Sequence, residues 1–378
     1  MSLVTGSHAT RYGRHEGRST LDLMSEAAAA AIADAGVART EIDGLICGYS
    51  TTVPHLMLST VFAEHFGLRP DYAHAIQLGG ATGLAMVMLA HRLVEAGEVR
   101  RVLVVAGENR LTGQSRDSAI QTLAQVGHPV YEVPLGPTIP AYYGLVASRY
   151  MHETGATEEE AAELAVLMRA NAARHPGAHI RETVAVADVM TSKPIASPLK
   201  LMDCCPVSDG AAAFVVECED PARGGVRIRG AAQMHPHQHV SAASSLASFG
   251  IGDCVGRALA EAKFELADIR YAGIYDSFTV TLAILLEELG LAPRGRAGIL
   301  AREGHFAADG RMPLNTHGGL LAYGHCGVAG AMAHLDEACR QMAGNAGDRQ
   351  IARPQAALLH ADGGVLSSHV SLVLEARP

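Results

Sequence analysis

Residues 31–49, AIADAGVARTEIDGLICGY, and residues 258–276, ALAEAKFELADIRYAGIYD, align without a gap at an offset of 227. Ala31, Ala33, Ala35 and Ile42 recur as Ala258, Ala260, Ala262 and Ile269, and Asp34, Val37 and Glu41 as the similar Glu261, Phe264 and Asp268. Each copy reads as an alanine-rich helix running into a short apolar strand. An internal duplication constrains architecture more firmly than local propensity does.

Outward from this pair, a second unit recurs. GGATGLAMVMLAHRLVEAG ends at Gly97 and GHCGVAGAMAHLDEACRQMAG at Gly344, each a helix that starts after a glycine-rich turn and stops at glycine. Near-continuous apolar strands follow, Val102–Glu108 and Ala357–Gly363, of the kind found inside a covered sheet. A third pair, Gly210–Cys218 and Ser368–Ala376, closes the pattern. Two similar halves of alternating strands and helices therefore flank an insertion. That insertion, about Arg110–Asp203, carries Pro129, Pro134, Pro137, Pro140, Pro176, Pro194 and Pro198 around helical stretches and reads as a domain enclosing substrate.

Composition excludes several classes. With 378 residues, 48% hydrophobic, 18% charged and 40 glycines, the chain is folded, rich in turns and long enough for roughly two to three domains. A net charge of −9 without a basic block argues against a nucleic-acid partner. The seven cysteines are an odd number with no C-x-x-C pair, which fits reduced thiols in a cytoplasm and neither a disulfide framework nor a cysteine zinc site. The opening MSLVTGSHATRYGRHEG has no apolar core and no later uncharged run is long enough for a membrane span, so a cytoplasmic location is expected. His235, His237 and His239 alternate and read either as a metal patch on one strand face or as a solvated loop, and no metal is assigned.

The stretch Asn315–Gly330, NTHGGLLAYGHCGVAG, follows an N-x-x-GG-x-x-x-x-GH-P-x-G-x-x-G signature except at Cys326. With CCPVSDGAAAFVV (Cys204–Val216) and the late turn His360–Leu366, it makes nearly the whole chain resemble the thiolase superfamily. The resemblance implies an α/β fold of duplicated β-α-β-α-β-β halves in a layered α/β/α/β/α core. Residues 1–109 and 204–228 then form the first half, 110–203 the inserted loop domain and 229–378 the second half. It also implies a homodimer paired through the edge strand of the first half, for which Arg101–Ala106 is the candidate.

Position by position, the family's chemistry is altered. Ordinary members attack an acyl-CoA with the cysteine of a C-x-S-G turn; the matching turn Leu78–Gly83 has Gly80 at that place and Thr82 at that of the serine. The second family cysteine, in a C-x-GGG turn, corresponds to His360 of His360-Ala361-Asp362-Gly363-Gly364. The asparagine of an N-E-x-F segment corresponds to Tyr275 of Tyr275-Asp276-Ser277-Phe278, and the histidine of the G-H pair is retained as His325. Without a nucleophile no acyl-enzyme forms, but backbone donors at Gly80, Thr82, Gly83, Gly363 and Gly364, with Asn315 nearby, are left to bind a thioester oxygen.

The Tyr-Asp-Ser-Phe segment and the Tyr323-Gly324-His325 triplet are similar to those of a branch labelled lipid-transfer or acetyl-CoA acetyltransferase proteins, which includes bacterial steroid side-chain aldolases. That similarity implies retro-aldol cleavage of a bulky 3-hydroxyacyl-CoA through a thioester enolate. Tyr275 or Tyr323 would act on the β-hydroxyl, His325 would orient the thioester oxygen or a water, and His360 with Asp362 would handle the α-carbon proton. Asp276 would either tune Tyr275 or hold its loop, and both tyrosines also read as core residues with satisfied hydroxyls. Coenzyme A enters only as part of the substrate, no resident cofactor is expected, and a small OB-fold/zinc-ribbon protein is the implied partner. An acyltransferase with an unconventional nucleophile and a non-catalytic acyl-CoA or lipid-binding subunit are the competing readings.

Overall fold

A computed structural model describes residues 1–220 and 222–377. The first half runs β1 (Ser2–Ala9), α1 (Thr20–Ala35), β2 (Gly44–Gly48), α2 (Leu58–Phe66), β3 (Tyr72–Ile76), α3 (Thr82–Ala96) and β4 (Arg101–Asn109). The insertion supplies α4 (Arg116–Ala124), α5 (Ile139–Thr154), α6 (Glu158–Ala173), α7 (Val186–Thr191) and the hairpin β5 (Pro194–Ala196) and β6 (Leu199–Lys200), after which β7 (Asp209–Cys218) completes the first half. The second half comprises β8 (Val226–Met234), α8 (Gly252–Ala262), β9 (Tyr271–Ile274), α9 (Thr279–Glu288), α10 (Ala297–Arg302), α11 (Gly330–Ala343), β10 (Ala356–Gly363) and β11 (Ser368–Ala376). Its first strand thus begins at Val226, ahead of the expected boundary at residue 229.

The strand order is β3-β2-β4-β7-β1-β8-β11-β10-β9. The two half-sheets join where Ser2, Leu3 and Val4 pair with Ile228, Arg227 and Val226. Helix α1 covers the outer face of β1, β4 and β7, and α8 covers β8 and β11. Helices α3 and α11 pack against each other between the half-sheets, giving the α/β/α/β/α layering. Strands β7 and β10 are buried almost end to end, which is why their sequences are mostly apolar on both faces, with His360 and Asp362 of β10 as buried polar exceptions near its end.

Duplication has a packing reason. A Cβ at Gly6 of β1 would lie 2.1 Å from the Ala31 carbonyl oxygen and 2.8 Å from the Ala35 Cβ; one at Gly230 of β8 would lie 2.1 Å from the Ala258 oxygen and 3.1 Å from the Ala262 Cβ. In both halves an outer helix meets its strand at a glycine, and the repeated alanines are what that approach demands. Helix ends repeat as well: α3 and α11 stop at Gly97 and Gly344, both left-handed, with their N–H groups turned back onto the last carbonyls.

The expectation that Arg101–Ala106 forms the free edge of the first half is corrected. That run lies in β4, bonded to β2 on one side and β7 on the other, so its backbone groups are spent. The free edge is β3, where His74 and Ala75 are exposed. Helices α5 and α6 of the insertion pack on α9, and α6 also on α10. Among the described residues, no helix is long and apolar enough to cross a membrane.

Candidate active site

Strand β9 ends at Ile274, and Tyr275–Phe278 turn over the carboxyl ends of the parallel pair β9 and β10, where α/β folds commonly place ligands. The Tyr275 N–H donates to the His360 carbonyl at 2.9 Å, so the segment is pinned to β10. Asn315, at φ 43°, uses its amide as a splint: Nδ2 donates to the Ile274 carbonyl at 2.7 Å and Oδ1 accepts the Ile274 N–H at 2.8 Å. Both ends of the amide are thereby occupied, and Asn315 supports Tyr275 instead of reaching substrate.

Tyr275 Oη lies 2.9 Å from His325 Nε2. The Gly327 N–H donates to His325 Nδ1 at 3.1 Å, so the neutral ring carries its proton on Nε2 and donates it to the phenol oxygen. Burial, with Arg110 adding to it, lowers the His325 pKa to about 3, which keeps the ring neutral. Burial, then Asp362, holds the Tyr275 phenol well above its usual range, so it acts as a donor and resists ionisation.

The glycine turns of the two halves meet beneath this pair. A Cβ at Gly79 would lie 2.8 Å from the Gly364 nitrogen, and one at Gly363 would lie 2.2 Å from the Leu78 oxygen. A Cβ at Gly80 would lie 2.2 Å from Tyr275 Oη and 2.5 Å from the Asp362 carbonyl oxygen. The phenol therefore occupies the volume that any side chain at position 80 would need. Thr82 spends its hydroxyl inside the turn, donating to the Gly79 carbonyl at 2.6 Å and accepting the Leu78 N–H at 2.9 Å. Gly83 serves packing, since a Cβ there would lie 2.6 Å from Met332 of α11.

Asp362, 1% exposed, keeps Oδ1 without a partner while Oδ2 accepts the Tyr143 hydroxyl at 3.1 Å. Burial raises its pKa to about 7, the region in which a carboxyl both takes up and releases a proton. Its expected companion is elsewhere. His360 has Nδ1 2.8 Å from Ser371 Oγ and Nε2 3.2 Å from His369 Nδ1, and burial, then His369, pushes its pKa far below the usual range. The pairing of His360 with Asp362 is corrected on that ground.

Tyr323 is likewise withdrawn from the site. Its hydroxyl donates to the Thr10 carbonyl at 3.1 Å, and its ring packs among Tyr12, His175 and His317. Asp276 holds the signature loop: Oδ1 accepts the Leu320 N–H at 2.7 Å and Oδ2 the Leu321 N–H at 3.3 Å, with His334 Nε2 at 3.2 Å. A Cβ at Gly319 would lie 2.0 Å from Asp276 Oδ2, which explains that glycine.

Two neighbours escaped the sequence reading. Tyr143 arrives from α5 of the insertion, which has no counterpart in the repeat, and stacks on Phe278 at 4.3 Å between ring centres. Cys205, half-buried, is held by its N–H to the Ser277 carbonyl at 3.0 Å and lies within electrostatic range of Tyr275; burial pushes its thiol far up, against nucleophilic use. Among the described residues no group of three or more His, Cys, Asp or Glu side chains is placed to hold a metal. His235, His237 and His239 separate, to Ser368 Oγ, the Val365 carbonyl and the ring of His128.

Residues 3–220 match the family model described as "Thiolase, N-terminal domain" and residues 232–376 the one described as "Thiolase C-terminal domain-like". The chain belongs to the thiolase family. A steroid side-chain-cleaving aldolase of Thermomonospora curvata is 35% identical over 87% of this thiolase-family chain and 88% of its own. A 17-hydroxy-3-oxo-4-pregnene-20-carboxyl-CoA lyase of Mycobacterium tuberculosis is 32% identical over 98% of both chains, and an acetyl-CoA acetyltransferase of Methanothermobacter thermautotrophicus 28% identical over 96% of both. The solved Ltp2–ChsH2(DUF35) aldolase superposes with a TM-score of 0.84 at 30% identity, covering 99% of this chain and 97% of the other. The protein is thus a thiolase-family enzyme whose relatives include both aldolases and acetyltransferases.

Proposed function

We propose that the enzyme is a retro-aldolase of 3-hydroxyacyl-CoA thioesters with a bulky β-substituent, and that Asp362 carries the proton. One observation carries this reading: the Tyr275 phenol fills the place of any side chain at position 80, within electrostatic range of a buried carboxyl that has an unpaired oxygen. The names of the steroid-cleaving relatives support the substrate class.

Ionised Asp362 accepts the β-hydroxyl proton on Oδ1. The Cα–Cβ bond then breaks, the β-carbon becomes a carbonyl, and the electron pair enters the thioester as an enolate. The Tyr275 O–H, its oxygen held by His325 Nε2–H, hydrogen-bonds the enolate oxygen, with the Gly363–Gly364 backbone nearby. Protonated Asp362 returns the proton to Cα, so the enzyme ends as it began. A pKa near 7 suits a group that is base in one step and acid in the next. Coenzyme A enters as part of the substrate, and the location is cytoplasmic. We further infer a homodimer through β3 and a small partner protein, since the solved aldolase contains a DUF35 protein.

The test is cleavage of steroid-type and simpler 3-hydroxyacyl-CoAs, with and without such a partner, after iodoacetamide treatment. Carbonyl product should form without thiol dependence, and Asp362→Asn should lower turnover by about 10²–10⁴-fold. Full turnover in Asp362→Asn, or its abolition in Cys205→Ser, would overturn the assignment in favour of another base or of thiol-dependent acyl transfer.

A further inference from the structure

We infer that Tyr143, supplied by the inserted segment, is a positioning residue that fixes the Asp362 carboxyl through Oδ2 and leaves Oδ1 unpaired. The inference rests on the reading of Asp362 as proton carrier. The Tyr143 hydroxyl is 3.1 Å from Asp362 Oδ2 and 3.2 Å from the Gly364 carbonyl oxygen, so its single proton ties the carboxyl to the glycine turn that follows it. The ring, 2% exposed, stacks on Phe278, three residues beyond Tyr275. One side chain thus touches both segments that build the site, and it does so from a third element.

Helix α5 is itself clamped. Tyr150 donates to Glu287 Oε1 of α9 at 2.7 Å, and Gly144 lies so near the β5–β6 hairpin that a Cβ would be 3.0 Å from the Ser197 oxygen. Tyr143 is therefore delivered on a fixed trajectory. The groups facing the Asp362 carboxyl are Tyr143 from α5, Tyr275 from the segment after β9 and the Leu366 backbone from the turn before β11. His369, opposite Asp362 in the β10–β11 register, turns its ring to His360 and to the Leu366 carbonyl. Removing the Tyr143 hydroxyl takes from the carboxylate its one side-chain donor, which disfavours the ionised form and frees the group to rotate.

Tyr143→Phe keeps the stack and removes only the donor. Infrared difference titration, with the Asp362 carboxyl band identified by its loss in Asp362→Asn, should show that band titrating about one pH unit higher in Tyr143→Phe. Lyase turnover should fall about tenfold or more, with its low-pH limb displaced by the same amount and KM little changed. A ring-fluorinated tyrosine at position 143, a stronger donor of the same shape, should move the band the other way and covers the case in which the phenylalanine variant fails to fold. An unmoved band in either variant would overturn the proposal. A moved band in an enzyme without lyase turnover would instead overturn the retro-aldol reading and leave the positioning role standing.

Discussion

A side chain at position 80 and the ring of Tyr275 cannot share one volume, because a Cβ there would lie 2.2 Å from the phenol oxygen. Gly80→Ala should push Tyr275 away from His325 and lower turnover at least about tenfold, while circular dichroism reports an intact fold; unchanged kinetics would show that the contact relaxes at no cost. Asp362 makes a separate prediction about stability. Its carboxyl titrates at about 7 when folded against 3.8 for an unperturbed aspartate, so the unfolded chain gives up the proton first as pH rises. Between those values the unfolded state binds fewer protons, and the protein loses stability by up to a few kcal/mol. The melting-temperature difference, Asp362→Asn minus wild type, should therefore grow from pH 5 to pH 8, and a flat difference would mean the carboxyl is already ionised in the folded protein. The places of Gly80, Tyr275, His325 and Asp362 in the fold were legible because each stands at a motif position. The roles of Asn315, Asp276, Tyr323 and His360 were not, since a motif marks a place in the chain and not the direction of a side chain. Each of these four proves to be spent on neighbouring backbone or side chains.

At the scale of elements, the gapless repeat translates into one close contact made twice. Helix α1 rests on β1 at Gly6 and α8 on β8 at Gly230, each so near that a Cβ would lie 2.1 Å from a helix carbonyl oxygen. Gly6→Ala and Gly230→Ala should each cost about 1–3 kcal/mol, by overpacking an interface that has no void to yield. Urea unfolding at constant slope would measure it. A neutral result in one half beside a loss in the other would show that the halves, though duplicated in sequence, are not mechanically equivalent. Repeated elements were readable from residue patterns because the same constraint left the same alanines in both copies. The insertion offered no second copy. Tyr143 reaches Asp362 across 219 residues, a contact that composition and periodicity inside the insertion do not encode. Side chains that an inserted segment brings to the candidate site are thus the ones most easily missed, although the proline-rich helical insertion itself was plain.

The nine strands leave two ends to the sheet, and they differ. At β9 the backbone is met by the loop before the signature, since the Ala272 N–H donates to the Pro313 carbonyl and the Asn315 N–H to the Ala272 carbonyl, both at 3.0 Å. At β3 no strand follows, and an uncovered edge of this kind invites pairing with another chain. The Tyr72 N–H points inward to the Asp43 carbonyl at 3.1 Å, so by alternation the N–H groups of Ala73 and Ala75 face outward. A second copy of the chain should dock there, strand against strand about a two-fold axis. Sedimentation should give twice the chain mass, and Ala75→Pro, which removes an outward donor without touching the inward ladder, should give monomers. Because β3 ends at Ile76, four residues before Gly80, the edge and the turn beneath Tyr275 are mechanically continuous. The monomeric variant should therefore also lose turnover, in proportion to the fraction dissociated as concentration is lowered. Activity independent of dissociation would confine the edge to assembly, and a wild-type monomer at all concentrations would remove the β3 interface altogether.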